Sequence, residues 1–185
     1  MLIETERTPN PATLKFLPGQ PVAPDGPFDF ANAEVGASSP LAVRIFALGD
    51  VERVFLGSDF ITVTRMADGA LWEALKPQVL GAIMDHFASG QPIVSSGAET
   101  AVETFDDPAD AEIIAQIREL LDTRVRPAVA NDGGDIVYRG FQQGVVYLNM
   151  QGSCAGCPSS TATLKGGIEN LLRHYVPEVR EVRAV

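Results

Sequence analysis

The stretch VVYLNMQGSCAGCPSSTATLKGGIENLL, residues 145–172, contains both cysteines of the chain, Cys154 and Cys157. Residues 145–148 are apolar at every position, which predicts a central strand covered on both faces. After the cysteines, apolar residues recur at three- and four-residue spacing and predict one face of a helix: Leu164, Ile168, Leu171, Leu172 and Tyr175. A Cys-x-x-Cys pair between a strand and a helix is therefore the feature to be explained.

The residues before this stretch predict a helix. Asp107 is a predicted N-cap, and Pro108 suits the first helical position, where its missing N–H costs little. Apolar residues then follow at helical spacing: Ile113, Ile117, Leu120, Leu121 and Val125. Pro127 predicts a kink or the start of a last turn, and the glycines of NDGGD (131–135) predict the helix end.

A hairpin and a closing strand complete this part of the chain. Residues 135–141 and 145–151 are predicted strands, joined by a tight turn through residues 142–144. Residues 177–185 predict a final strand. The order helix, strand, strand, CxxC, helix, strand predicts a small α/β domain of the α+β type over residues 106–185.

The first part of the chain predicts a second small α/β domain over residues 1–88. IETER and ATLKFLP are predicted strands around a Thr-Pro-Asn-Pro turn, and VERVFLG with FITVTR predicts a hairpin. Ser39 before a proline predicts the start of a short helix, and residues 71–90 predict a longer one. Residues 89–105 are small, polar and acidic without a sustained period, which predicts a linker.

Composition and charge argue against several classes of protein. The chain has 185 residues and a net charge of −10 without a basic stripe, which argues against nucleic-acid binding. Its apolar runs are short and interrupted by charge, so no membrane span is predicted. The N-terminus MLIETERTPNP has neither the segments of a signal peptide nor the Arg-rich character of an organellar presequence. We therefore expect a cytoplasmic location.

Three uses of Cys154 and Cys157 are open, since a structural disulfide is unusual in a cytosolic chain. The first is a thioredoxin-type redox pair, but that fold needs more elements after its cysteines than the helix and strand predicted here. The second is a zinc site, which needs four ligands. The two histidines are His86, in the other predicted domain, and His174, about 25 Å along the following helix. Both are expected to be ordinary surface or half-buried residues.

The third use is a metal centre shared between two chains. Two thiolates from each of two copies give the four soft ligands that an iron–sulfur cluster takes. Gly152 and Gly156 let the loop approach a cluster closely. Cys157 is a predicted helix N-cap, where the dipole favours thiolate over thiol, and two candidate donors to sulfur follow it: Ser159 and Ser160. A cluster held in this way would be exposed and easily released, which suits a carrier better than an electron-transfer protein.

These residues together resemble a known family. RPAVANDGGDI, GVVYLNMQGSCAGCPSSTATLKGGIENLL and VPEVREV closely resemble the NifU-like C-terminal domain of Nfu-type iron–sulfur cluster carriers. ERTPNPATLKF, SPLA and the LW..LKP pattern at residues 71–77 are similar to the N-terminal domain of two-domain members. The resemblance covers nearly the whole chain.

The resemblance implies a function and a set of ligands. It implies that two copies bind a labile cluster between their CxxC motifs, usually [4Fe–4S] with [2Fe–2S] as the alternative, and pass it to apo iron–sulfur proteins. Cys154 and Cys157 would be the cluster ligands, and an upstream assembly scaffold would supply the cluster. The N-terminal domain, which has no cysteine, would select or dock clients. We expect no enzymatic activity, because thiolate exchange needs no covalent catalysis.

Other residues have weaker implications. Gly166 and Gly167 each cost about 1 kcal/mol relative to Ala inside a helix, which indicates close approach of another backbone, either a partner copy or the sheet. Asp132 and Asp135 flank the Gly-Gly turn and are not expected to bind metal. Trp72, at the head of an apolar helix, is a predicted core or interdomain anchor.

Overall fold

The computed structural model of the chain describes residues 1–95, 104–155 and 158–185. It divides into two compact units, Met1–Thr100 and Ala101–Val185, and each combines a β-sheet with helices, as the mixed α/β class predicted. The predicted boundaries and linker remain predictions, and residues 96–103 of that linker lie outside the described residues. No helix in the described ranges is long and apolar enough to cross a membrane.

Unit 1 is built on an antiparallel sheet with strand order β1-β2-β5-β4-β3. In chain order its strands and α-helices are β1 (Glu4–Arg7), β2 (Thr13–Leu17), β3 (Phe28–Phe30), α1 (Pro40–Phe46), β4 (Val51–Leu56), β5 (Ile61–Arg65) and α2 (Trp72–Ser89). The short strand β3 carried no periodic signal and was not predicted, because three residues are too few to show an alternation.

The core of unit 1 lies between the helices and one face of the sheet. Alternate strand residues such as Phe16, Leu56 and Val63 pack with residues of α1 and α2. Trp72 packs against this core, with its ring centroid 6.3 Å from that of Phe16. Ser39 caps α1 by accepting a hydrogen bond from the Ala42 N–H, as its position before Pro40 predicted.

His86 is fully buried, and the prediction of a surface or half-buried histidine is wrong. It lies on the same face of α2 as Leu75, Val79 and Ile83, which together form the buried side of the helix. The reason is the helical period, which places residue 86 in line with those apolar residues. Burial lowers the pKa of His86, and the charge of Arg44 acts in the same direction.

We expect the stability of unit 1 to fall as the pH drops below the ordinary histidine pKa, about 6.5. The folded unit favours neutral His86, whereas the unfolded chain protonates it, so stability is complete above this pH and is lost below it. His86→Phe should flatten this dependence in urea unfolding followed by the fluorescence of Trp72, the single tryptophan. His174→Phe, at an exposed position, should leave it unchanged. An equal pH dependence in the wild type and the His86 variant would contradict the assignment.

Unit 2 contains a four-stranded sheet with order β6-β7-β8-β9. Its strands and α-helices are β6 (Phe105–Asp106), α3 (Ala111–Leu120), α4 (Arg126–Asn131), β7 (Gly134–Gln142), β8 (Val145–Gly152), α5 (Pro158–Tyr175) and β9 (Glu181–Ala184). β7 and β8 pair antiparallel, whereas β6 and β9 pair parallel with their neighbours. The predicted order of helix, strand, strand, helix and strand is confirmed, and the two-residue strand β6, which was not predicted, precedes it.

The first helical region of unit 2 is continuous but irregular. Asp107 caps a short 3₁₀ turn that leads into α3, accepting from the Ala109 N–H at 2.9 Å. Residues Leu121–Val125 then form a π-helical segment, and α4 begins beside Pro127. This irregularity lies where the proline predicted a kink or a new turn.

β8 is an inner strand of the sheet, but only one of its faces is buried. Val146, Leu148 and Met150 belong to the core of unit 2, whereas the alternate residues Val145 and Tyr147 are half-buried. The prediction that β8 is covered on both faces is therefore wrong. The apolar residues Val145 and Tyr147 on the second face did not, by themselves, imply that other elements cover that face.

The hairpin turn is shorter than predicted, because Gln142 still pairs with Val145. The two loop residues, Gln143 and Gly144, have φ of 51° and 79°. Positive φ at both positions is the requirement of a type I′ turn, whose twist matches that of the flanking strands. The predicted glycine thus occupies the position that needs it.

Gly166 and Gly167 lie on the exposed side of α5. Apart from the backbone of α5 itself, no described atom of the chain lies within 4 Å of a Cβ added at either position. Of the two alternatives, packing against the sheet is therefore wrong for both glycines. Their approach to a partner copy remains a prediction.

Candidate metal centre

Cys154 lies in the turn that connects the end of β8 to the start of α5. Gly152, with φ of 65°, reverses the chain at the end of the strand. The Cys154 side chain is 7% exposed and belongs to the core of unit 2. α5 then begins at Pro158, as the strand–CxxC–helix pattern predicted. Of the two predicted ligands the structure therefore places Cys154, and Cys157, together with Gly156, lies outside the described residues.

The Cys154 sulfur packs closely against the backbone of Gly134, at the start of β7. A Cβ built on Gly134 would lie 2.6 Å from the Cys154 Sγ and 2.8 Å from the Gln151 carbonyl oxygen. No side chain fits this space unless the turn moves. The Gly-Gly sequence after α4 thus ends the helix and also makes room for the cysteine.

Cys154 is a thiol in the metal-free protein at neutral pH. Burial raises its pKa to about 11; the hydrogen bond with Ser153 opposes this shift, and the charges of Asp132 and Asp135 add to it. A dithiol reductase needs the opposite effect, a lowered pKa that supplies a nucleophilic thiolate. Metal binding at Cys154 therefore requires the loss of a proton, because the thiolate is the metal ligand.

Hydrogen bonds fix the backbone on both sides of Cys154. Before it, the Ser153 N–H donates to the Gly133 carbonyl at 3.2 Å, and the buried Ser153 hydroxyl donates to the Asp132 carbonyl. After it, the Thr161 hydroxyl of α5 donates to the Cys154 carbonyl at 2.9 Å. Sequence reasoning missed both roles, because serine and threonine near a helix start have many uses.

Asp135 is part of an ion pair that supports the same turn. Arg126 donates to Asp135 twice, from Nε to Oδ1 at 3.0 Å and from Nη2 to Oδ2 at 2.9 Å. Asp135 Oδ1 also accepts from the Ile136 N–H. These contacts occupy both carboxylate oxygens and pair Asp135 with a cation. Arg126 was not predicted as its partner. Its place at the start of the short helix α4, one helix and a Gly-Gly turn before Asp135, is the signal that could have shown it.

No complete metal site is formed by the residues that the structure describes. Within them, no group of three or more His, Cys, Asp or Glu side chains could hold a metal ion. His174 lies in the last turn of α5, about 24 Å from the helix start at 1.5 Å per residue. His86 belongs to the core of unit 1. The described residues thus supply one sulfur donor, Cys154, whereas an iron–sulfur cluster takes four thiolates.

Comparison with known proteins identifies the family of this chain. Residues 117–183 match the family model of the NifU-like domain, and residues 3–90 match that of the scaffold protein Nfu/NifU N terminal. The human NFU1 iron-sulfur cluster scaffold homolog, mitochondrial, is 49% identical over all of this chain and 72% of its own length. This chain belongs to the Nfu/NifU family.

Other relatives have similar names. NifU-like protein 4, mitochondrial, from Arabidopsis thaliana is 52% identical over 98% of this chain, which spans 65% of that relative's length. A solution structure of a NifU-like protein from Saccharomyces cerevisiae is similar over 52% of this chain and 86% of that chain, at 26% identity and a TM-score of 0.46. A TM-score this low adds nothing to the fold described above.

These relatives overturn the predicted cytoplasmic location, because the human and Arabidopsis proteins of this family are both named mitochondrial. The prediction rested on the first residues of this chain, whereas both relatives are longer than it is. The character of this N-terminus is therefore not a sound guide to location.

We expect Gly134→Ala to destabilise unit 2 by about 2 kcal/mol, because the new Cβ would overlap the Cys154 sulfur and a backbone oxygen that cannot move freely. Gly134 is outside the left-handed region, so the effect is one of space. Gly167→Ala is the matched control and should raise stability by about 1 kcal/mol, since it removes a helix-interior glycine and meets nothing in the chain. Urea unfolding of the metal-free protein, followed by far-UV circular dichroism, measures both changes. Equal effects of the two substitutions would contradict the close packing at Gly134.

Proposed function

We propose that this chain is an iron–sulfur cluster scaffold that binds a [4Fe–4S] cluster between two copies and delivers it to apo-proteins. The observation that carries the proposal is the donor count at the turn after β8. The chain has two cysteines, both between the last residue of β8 and the first residue of α5 in sequence, whereas a cubane cluster takes four thiolates. Cys154 and Cys157 of each copy would supply one half of the set. The names of the human and Drosophila relatives, which call them cluster scaffold homologs, support the same function.

Loading changes the state of Cys154. In the metal-free form its thiol is buried against Gly134 and holds its proton. When the sulfur binds iron, the thiol proton goes to solvent and the thiolate gains a partner that compensates for its burial. The scaffold thus keeps this ligand protected until cargo arrives.

The cluster can be released because each copy holds it through only two thiolates. A cysteine of the client protein, as thiolate, binds one iron while the sulfur of Cys154 or Cys157 leaves that iron and takes up a proton. Repeating this exchange moves the cluster without a change in its oxidation state. In this proposal an upstream assembly scaffold supplies the cluster and apo iron–sulfur proteins receive it. Thiolate exchange transfers the cluster without an enzymatic step.

The thioredoxin-type alternative has no support in these observations. The matched families are NifU-like and Nfu domains, and the raised pKa of Cys154 disfavours a nucleophilic thiolate at neutral pH. An insulin-reduction assay on metal-free protein separates the two functions. Rapid turnover that depends on both cysteines would favour the redox pair.

We expect anaerobic reconstitution with sulfide and equal amounts of ferrous and ferric iron to give a coloured dimer. Four irons shared by two chains correspond to about two irons per chain. Cys154→Ser and Cys157→Ser should each abolish stable loading, because one sulfur per copy leaves only two ligands for the cluster. The measurements are iron and sulfide content, visible absorption, and mass in solution.

The control for this experiment is His174→Ala, which should load normally because His174 lies near the far end of α5. A full cluster on a single monomer would overturn the shared site. A colourless dimer containing zinc at half the chain concentration would indicate a zinc-bridged module instead. Normal loading of either cysteine variant would overturn the ligand assignment.

A further inference from the structure

The segment that follows α2 is tied back onto the start of α1. The Ser95 N–H donates to the Ser38 carbonyl at 2.8 Å, and the Ser39 hydroxyl donates to the Ile93 carbonyl. Ser39 is also the N-cap of α1, so one buried hydroxyl holds both segments. Residues 91–95, the described part of the predicted linker that lies on unit 1, are called the strap below.

The other contacts of the strap are few. Gly90, with φ of 69°, reverses the chain at the end of α2. Arg44 of α1 then donates from Nη2 to the Gln91 Oε1 at 3.2 Å. Ile93 and Val94 are half-buried and pack against the core of unit 1. A segment held by so few contacts can open without the unfolding of the whole unit.

His86 lies in the last turn of α2, close to the point where the strap begins. Its side chain is 0% exposed, and neither ring nitrogen forms a hydrogen bond with a described residue. A protonated imidazole carries a charge and two N–H donors, all of which need a partner or water. The closed unit therefore holds this ring in its neutral form.

The charge that faces His86 belongs to Arg44, the same residue that holds the strap. Burial and the Arg44 charge lower the pKa of His86, whereas the backbone of Gln91 acts in the opposite direction. The core residues on this side of the sheet are apolar, and the strap carries no charge. Asp85, the neighbour of His86 on α2, is exposed, and Lys15 points to the opposite face of the sheet.

We infer that the strap is a pH-sensitive device, closed on α1 while His86 is neutral and released when the ring takes up a proton from solvent. Release lets water reach the ring and separates Gln91 from Arg44. It also adds five residues to the segment between the two units, up to about 17 Å of extended chain. The inference is independent of the proposed function, because it concerns unit 1 alone.

The direction of the effect follows from proton linkage. With the strap released, the ring has the ordinary histidine pKa, about 6.5, whereas the closed form has a lower pKa. The released form therefore binds the proton more readily, so release is least frequent above this pH and increases below it. One proton per opening corresponds to an increase of about tenfold in the released fraction per pH unit between the two pKa values.

Hydrogen exchange of single backbone amides, measured by NMR on the metal-free full chain, tests this inference. The Ser95 N–H reports on the strap because its acceptor lies in the segment before α1. Its protection factor, corrected for the intrinsic effect of pH on exchange, should fall about tenfold per pH unit below about pH 6.5. The Val22 N–H, which donates to the Ser58 carbonyl at the same distance of 2.8 Å, is the matched control and should keep its protection.

Variants assign the effect to His86. His86→Phe removes the titrating ring and should make the protection of the Ser95 amide independent of pH. His174→Phe, at an exposed position in unit 2, should behave as the wild type. Far-UV circular dichroism confirms folding. If His86→Phe does not fold, Arg44→Met serves instead: it should lower Ser95 protection at every pH and narrow the pH range over which that protection falls.

Three results would overturn the inference. The first is a wild-type Ser95 amide whose protection does not change with pH, or that has no protection at about pH 7.5, where the strap should be closed. The second is a fall in protection that persists in His86→Phe. The third is an equal fall at Ser95 and Val22, which would show that unit 1 opens as a whole. None of these results depends on cluster binding, so a chain that takes up no cluster would overturn the proposed function alone.

Discussion

The contact between the Cys154 sulfur and the backbone of Gly134 is the constraint on which unit 2 depends. It requires a position without a side chain at the start of β7, a chain reversal at Gly152, and a sheet register that places Gly134 opposite Gly152. Ser153 and Arg126 stabilise the two segments that meet there. Hydrogen bonds and an ion pair therefore lie around a cysteine, and the hydrophobic core continues up to its sulfur.

Much of this arrangement could be predicted because it is local in sequence. Helix caps, turn glycines and apolar spacing act within a few residues, so Asp107, Ser39 and the turn at Gly144 were found from the chain alone. The position of Cys154 between a strand and a helix followed from the same patterns. The incomplete set of sulfur donors needed only a count of cysteines and histidines.

The rest depends on contacts between distant segments, which no local pattern reveals. The burial of His86 and the single covered face of β8 depend on which elements pack together. The contacts of Arg126 with Asp135, of Ser153 with Asp132 and of Thr161 with Cys154 join residues seven to twenty-one positions apart along the chain. The raised pKa of Cys154 follows from such packing, whereas sequence reasoning considered only the helix dipole beside Cys157.

The β7–β8 hairpin also bears on the kinetics of folding. Its eight paired positions close across a two-residue turn, so they lose little chain entropy when they form. The parallel pairing of β8 with β9 must wait until α5 has crossed between them, and such non-local pairing is slow. The hairpin thus forms early in folding and aligns Gly134 with the residues before Cys154. The edge strand β9 then pairs with a β8 strand that is already in place.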